Sequence, residues 1–331
     1  MKILPMYYMR AYKMRPHNKN TVSGFSLIEL MIAMLIGLVI LNGVIQVVIS
    51  SKRSYLDNQA ISQIQENARF ALDTLSREVR MAGYFGCMPV DSGEIESEVS
   101  TTRYSDFLVR GGDILGVEVI RSSDNYPGGL EEDDVLRGDV LIVRHTDSSR
   151  EFTLLDTLAN TAAIADVDGD DNAIKDGEPV ALVSSGCELA NVFTWGTSDK
   201  PEGEFSKTNF KAGSRISPVQ VSAYYIGGSS VVENMPALKR EVILADGTTR
   251  SDELAMGVRN MVLEVINVNG AVVAPADPDT SLANTKAIRI NLELRSHDRV
   301  NPVKTDDSGD VTDNGYITQS AVATVRIRNK G

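Results

Sequence analysis

The chain is expected to fold as an α+β protein: one long N-terminal α-helix, transmembrane at first and then amphipathic, packed on an antiparallel β-sheet with extended loops. Three features of its 331 residues predict this. An apolar run of twenty residues, Leu30 to Ile49, carries no charge. Apolar residues then recur at steps of three and four from Ile61 to Ala82. Beyond residue 100, β-branched runs alternate with clusters of Gly, Asp, Asn, Ser and Pro, the texture of strands and loops.

Residues 1–24 read as a basic leader, with Lys2, Arg10, Lys13, Arg15 and Lys19 and no acid. Met14 offers an alternative start that still keeps Arg15 and Lys19. At 1.5 Å per residue the apolar run spans about 30 Å, the thickness of a hydrocarbon core. Cations on its N-terminal side keep the leader cytoplasmic and send the C-terminal bulk across the inner membrane. A secretory signal has a shorter apolar region of about 7–15 residues. Glu29 sits at the start of the span, where a carboxylate costs a few kcal/mol on insertion scales and so points to a function. It lies one helical turn beyond Phe25, close enough to pair with an amine freed there, on its own chain or a neighbour's. Gly37 and the Asn42-Gly43 pair leave two readings open, local unwinding or close helix packing.

No proline occurs between Pro16 and Pro89, so the helix is expected to continue past the membrane. Ile61, Ile64, Ala68, Ala71/Leu72, Leu75, Val79 and Ala82 form its core-facing stripe. Glu66, Arg69, Asp73, Arg77 and Arg80 take the other faces. A continuous helix from Phe25 to about Ala82 would be roughly 87 Å long, with Gly83 and Gly86 as its stop. Strands are expected at Phe107–Ile120, Asp139–His145, Val219–Ile226, Ala237–Leu244, Met261–Val268, Ala287–Leu294 and Ala321–Ile327. Ala271–Leu282 and Asn301–Gly315 read as long exposed loops. The expected organisation is leader 1–24, membrane helix 25–50, amphipathic half 51–86, and an exported β-rich head 87–331.

Composition narrows the function. Taking the five leader cations from 33 leaves 28 basic against 45 acidic residues, a formal −17 for residues 25–331. Nucleic acid is therefore not an expected partner. His17, His145 and His297 are the only histidines, and no serine-hydrolase or zinc spacing surrounds them, so no enzyme is expected and no cofactor is implied. His145 follows an apolar strand and reads as structural. Walker and dinucleotide fingerprints are absent. Asp166, Asp168 and Asp170 alternate as the start of a calcium loop does, but Asp171 and Gly177 stand where that motif needs Gly and Glu. An acidic solvated loop accounts for the run, and calcium stays a bare candidate. Cys87 and Cys187 are the only cysteines. In an exported head an even count favours one disulfide, which in the chain-entropy model stabilises by roughly 4–5 kcal/mol.

The string Gly24-Phe25-Ser26-Leu27-Ile28-Glu29-Leu30 resembles the processing site of type IV pilins and type II secretion pseudopilins. The resemblance implies a type IV pilin-like fold, cleavage by prepilin peptidase after Gly24, N-methylation of Phe25, and pairing of Glu29 with a neighbouring subunit's amine. Gln65-Glu66-Asn67-Ala68-Arg69-Phe70-Ala71-Leu72 and Arg80-Met81-Ala82-Gly83-Tyr84-Phe85-Gly86-Cys87 resemble the minor pilin family PilW. So do Gly138–Arg144, Ser185-Gly186-Cys187, Leu238-Lys239-Arg240, Ala287–Ile290 and Val325–Asn329, with the loops between them resembling it least. That family implies a non-catalytic minor pilin that helps initiate type IV pilus assembly at or near the tip. Its implied partners are other minor pilins, the major pilin, a tip adhesin-like protein and the inner-membrane assembly platform. The alternative is a type II secretion pseudopilin of the J kind.

Overall fold

The computed structural model describes residues 24–89, 95–99, 102–110, 113–114, 116–121, 130, 135–157, 167–168, 174–175, 177–196, 200–202, 210–244, 248–273, 285–300, 302, 304–305 and 311–328. The chain divides into two compact units, Met1–Ser54 and Tyr55–Gly331. The basic leader, save Gly24, lies outside the described residues.

A single α-helix, α1, covers Leu27–Met81, starting two residues later and ending one earlier than expected. In the first unit its side chains are exposed on every face, including all the large apolar ones from Leu27 to Ile49. An apolar surface that its own chain does not cover is one that lipid or other helices must bury. By length and composition the helix is apolar enough to cross a membrane. The helix runs unbroken through Gly37 and Gly43, where an added Cβ would meet nothing within 4 Å. Asn42 satisfies its amide locally, donating from Nδ2 to the Leu38 carbonyl at 3.0 Å.

In the second unit α1 becomes one-sided. Ala60, Ile64, Ala68, Ala71, Leu75, Ser76 and Val79 are buried, while Asp73 and Arg77 pair on the opposite face at 3.1 Å. Full burial of a leucine such as Leu75 stabilises by about 1.5–3 kcal/mol. The helix stops at Gly83, whose φ of 72° is left-handed and whose N–H donates to the Arg144 carbonyl at 2.9 Å.

A short helix, α2 (Thr102–Leu108), precedes ten main strands. These are β1 (Val117–Ile120), β2 (Val140–Thr146), β3 (Pro179–Val183), β4 (Ala190–Gly196) and β5 (Arg215–Gly228). The rest are β6 (Pro236–Ile243), β7 (Thr249–Met256), β8 (Val258–Asn267), β9 (Thr285–Arg295) and β10 (Thr318–Arg326). They form two principal sheets rather than the single one expected. In the larger, the long β5 is the hub: its start pairs with β3, and its remainder lies between β2 and β6. From β3 the sheet extends to β4, from β6 to β7, and from β2 to β1. The smaller sheet runs β8-β9-β10, with the two-residue strand Val272–Val273 on the outer side of β8. Among the described residues pairing is antiparallel except where Ile95–Ser97 joins β4 in parallel.

The alternation of β2 and β5 explains the layering. Leu141, Val143, Tyr224 and Ile226 face the α1 stripe, which also meets Met261, Leu263, Ile288 and Ile290 of the smaller sheet. Val140, Ile142, Val221 and Ala223 face the other way, onto Tyr104, Phe107 and Leu108 of α2. Phe107 and Leu108 therefore end a helix, a correction to the expected strand Phe107–Ile120; only Val117–Ile120 is a strand of any length there. The expected loops are also not wholly irregular, for Val272–Val273, Lys304–Thr305 and Val311–Asp313 are short strands within them. β3, β4 and β7 were not anticipated. β3 and β4 are buried on both faces and so lack alternation, whereas β7 is polar and half-exposed.

Candidate functional site

Gly24, Phe25 and Ser26 lie just ahead of α1 and are not helical. The Ser26 hydroxyl accepts from the Glu29 N–H at 3.2 Å, and the Ser26 carbonyl accepts from the Leu30 N–H at 3.2 Å. Ser26 is thus the N-cap, and Ser26-Leu27-Ile28-Glu29 has the pattern of a capping box. This cap was overlooked in the sequence reading, although serine followed three residues later by glutamate is its ordinary signal. The cap fixes where the helix begins and leaves the Gly24–Phe25 bond outside it. Phe25 is 85% exposed, and a Cβ on Gly24 would meet nothing within 4 Å. Glu29 is exposed in the first turn, where a carboxylate also suits the positive end of the helix dipole. The bond to Ser26 uses its main chain, so it does not commit the carboxylate.

Cys87 and Cys187 are joined by a disulfide with Cα atoms 5.6 Å apart. The bond links the turn just beyond α1 to the turn between β3 and β4. In that second turn Cys187 has a φ of 59°, and the Ser184 hydroxyl accepts from the Glu188 and Leu189 N–H groups, both at 3.0 Å.

His145 is buried against α1, its Nε2 3.5 Å from Glu78 Oε2 and its Nδ1 3.0 Å from the Thr146 carbonyl. At 3.5 Å, and with Glu78 Oε2 making no aligned hydrogen bond, the contact is an ion pair. Burial alone would lower the imidazole pKa, but Glu78 outweighs it and holds His145 above its ordinary value. Burial likewise opposes ionisation of Glu78, yet the imidazolium beside it holds that carboxyl below the usual range. His145 is therefore a tie between the helix and β2. A second buried pair, Arg144 to Glu118 at 2.6 Å, fastens β2 to β1, and Arg144 Nε also donates to the Phe107 carbonyl.

Of the calcium candidate, Asp166 and Asp170 lie outside the described residues. Asp168 contributes backbone to the two-residue strand Val167–Asp168, which pairs with Phe152–Leu154. Among the described residues no group of three or more His, Cys, Asp or Glu side chains is placed to hold a metal.

Residues 19–41 match the family model described as the prokaryotic N-terminal methylation motif. Among solved structures, a type IV-like pilin from Thermus thermophilus aligns with 81% of this chain and 98% of its own, at 10% identity and a TM-score of 0.36. No curated protein matches the chain significantly. The methylation motif runs directly into an exposed apolar helix that is long enough to cross a membrane, and a β-rich domain follows it in the chain.

Proposed function

We propose that the chain is a minor pilin of the PilW kind, a non-catalytic subunit that helps initiate type IV pilus assembly and sits at or near the pilus tip. The observation that carries the reading is the methylation motif over residues 19–41, joined without a break to a helix whose apolar surface its own chain leaves bare. Prepilin peptidase cuts after Gly24, and Phe25 becomes the methylated N-terminus. The Glu29 carboxylate meets the amine of an adjacent subunit as the helix leaves the bilayer, replacing lost solvation with an ion pair in a medium of low dielectric. The apolar halves of the helices then bundle, while the heads select other minor pilins, the major pilin and a tip adhesin-like protein by surface complementarity. The Arg80–Cys87 block supports the PilW assignment over a type II secretion pseudopilin of the J kind.

A clean deletion tests this, scored in one strain for sheared surface pili and for type II exoprotein secretion. Reduced pili with normal secretion is the expected result. Intact pili with blocked secretion would transfer the chain to the pseudopilins.

A further inference from the structure

A sheet edge presents a row of unpaired N–H and C=O groups, and proteins blunt such edges with short strands, charges, prolines, bulges or covering segments. In the larger sheet the outlying strands Val117–Ile120 and Lys200–Glu202 are short. Its outer strand β7 carries Arg250, Asp252 and Glu253 and is paired across a bulge at Leu238/Lys239. In the smaller sheet the outer side of β8 is plugged. The Asp139 N–H donates to the Met261 carbonyl at 2.8 Å, Asp139 Oδ2 accepts from the Leu263 N–H at 2.6 Å, and Arg121 donates to the Leu263 carbonyl at 2.9 Å. Gly138, with φ of 89°, lets this plug approach so closely that a Cβ would collide with the Met261 carbonyl oxygen.

Among the described residues β10 has none of these devices. Its nine residues pair with β9 along their whole length without a bulge, contain no proline, and carry no charge before Arg326. It pairs with no second strand among the described residues. Two bonds fix which groups face outward. At one end Ser296 N–H donates to the Ile317 carbonyl, and at the other Ile327 N–H donates to the Lys286 carbonyl. Each joins residues directly opposite in the same register, so odd-numbered residues of β10 bond to β9. The backbone groups of Thr318, Ser320, Val322, Thr324 and Arg326 therefore point to the open side. On the core side Ala321 and Ala323 are only partly buried, too small to close the flank of the core. The strand ends in two exposed cations, Arg326 and Arg328, on a chain of net charge −12.

We propose that the open edge of β10 is a strand-addition site for an extended segment of another protein. That segment is apolar at alternate residues, which cover Ala321 and Ala323, and acidic where it passes Arg326. Main-chain bonds supply the affinity, and the alternate side chains with the charge supply the selectivity. The site does not depend on whether the chain enters pili.

The test uses the detergent-solubilised full chain and a fluorescent nine-residue peptide alternating valine and threonine, with an aspartate at one end. Saturable binding is expected, at least tenfold weaker for the same peptide with its amides N-methylated. Val322→Pro should also weaken binding at least tenfold. It should melt within a few degrees of wild type, because the lost N–H points away from β9. Ala323→Pro removes a ladder bond instead and should lower the melting temperature. Absence of saturable binding, or equal binding by the methylated peptide or by a folded Val322→Pro chain, would overturn the proposal. So would a dimer in sedimentation that Val322→Pro abolishes, since the occupant would then be a second copy.

Discussion

At Gly24 the open surroundings separate recognition from folding. A Cβ there touches no described residue, so Gly24→Val should leave the folded part of the chain undisturbed. The variant should accumulate as an uncleaved band about 2.6 kDa heavier, the share of 24 residues in a 331-residue, 36.0 kDa chain. Half that increment would identify Met14 as the start; normal processing on an immunoblot would refute cleavage at this bond. Glu29→Gln keeps the side chain's size and the main-chain bond to Ser26 while deleting the charge. It should leave cleavage and membrane levels near normal but cut the amount in sheared filaments at least tenfold; wild-type incorporation would exclude the pairing role. Glu78 and His145 make a pH-dependent contribution of known sign. Glu78, lowered from 4.5, contributes above that value and loses its contribution as pH falls through its folded pKa. His145, raised from 6.5, contributes below that value and loses its contribution as pH rises through its folded pKa. The pair therefore stabilises most between pH 4.5 and 6.5. Melting curves across pH 3–9 should show that His145→Gln removes this excess and leaves the rest of the profile alone.

Among the elements, the parts with a single dominant period were legible. α1 was readable from its apolar run and from the stripe at Ile64, Ala68, Leu75 and Val79, and its end from Gly83. Half-buried β9 was readable because Ile288, Ile290, Leu292 and Leu294 alternate with charged or polar residues after Ala287. The two-sided burial of β3 and β4 erases that alternation, so nothing in Pro179–Val183 tells strand from buried helix. α2 was misread because Phe107 and Leu108 continue into Val109, and only the tertiary layer over β2 and β5 decides for a helix. At the N-terminus the methylation motif was legible from local order alone. The tie through His145 was not, since Glu78 and His145 are 67 positions apart and meet only when α1 lies on β2. The buried Arg144–Glu118 pair shows the same limit and carries a stability prediction. Glu118→Ala takes the carboxylate from a guanidinium that has no solvent access, which should cost about 3–5 kcal/mol in denaturant unfolding. A loss under 1 kcal/mol would mean that the partners Arg144 keeps, the Phe107 carbonyl among them, suffice.

For the whole molecule, the bond between Cys87 and Cys187 has a mechanical consequence. In the proposed filament the subunit would be held by its N-terminal helix and loaded through its head, so tension would enter near the end of α1. The disulfide offers that tension a covalent bypass from the turn after the helix to the turn before β4. The intervening polypeptide, which includes α2, β1, β2 and β3, is then shielded from extension, and only the remainder of the head can be drawn out. In single-molecule pulling from α1 to the C-terminus, the oxidised chain should release a shorter contour length than the reduced one. The expected deficit is about 330–360 Å for a separation of 100 residues. Equal lengths would show that load does not pass through the bridge. A subunit built this way yields, under pull, from β4 onward, and keeps α2, β1, β2 and β3 unextended.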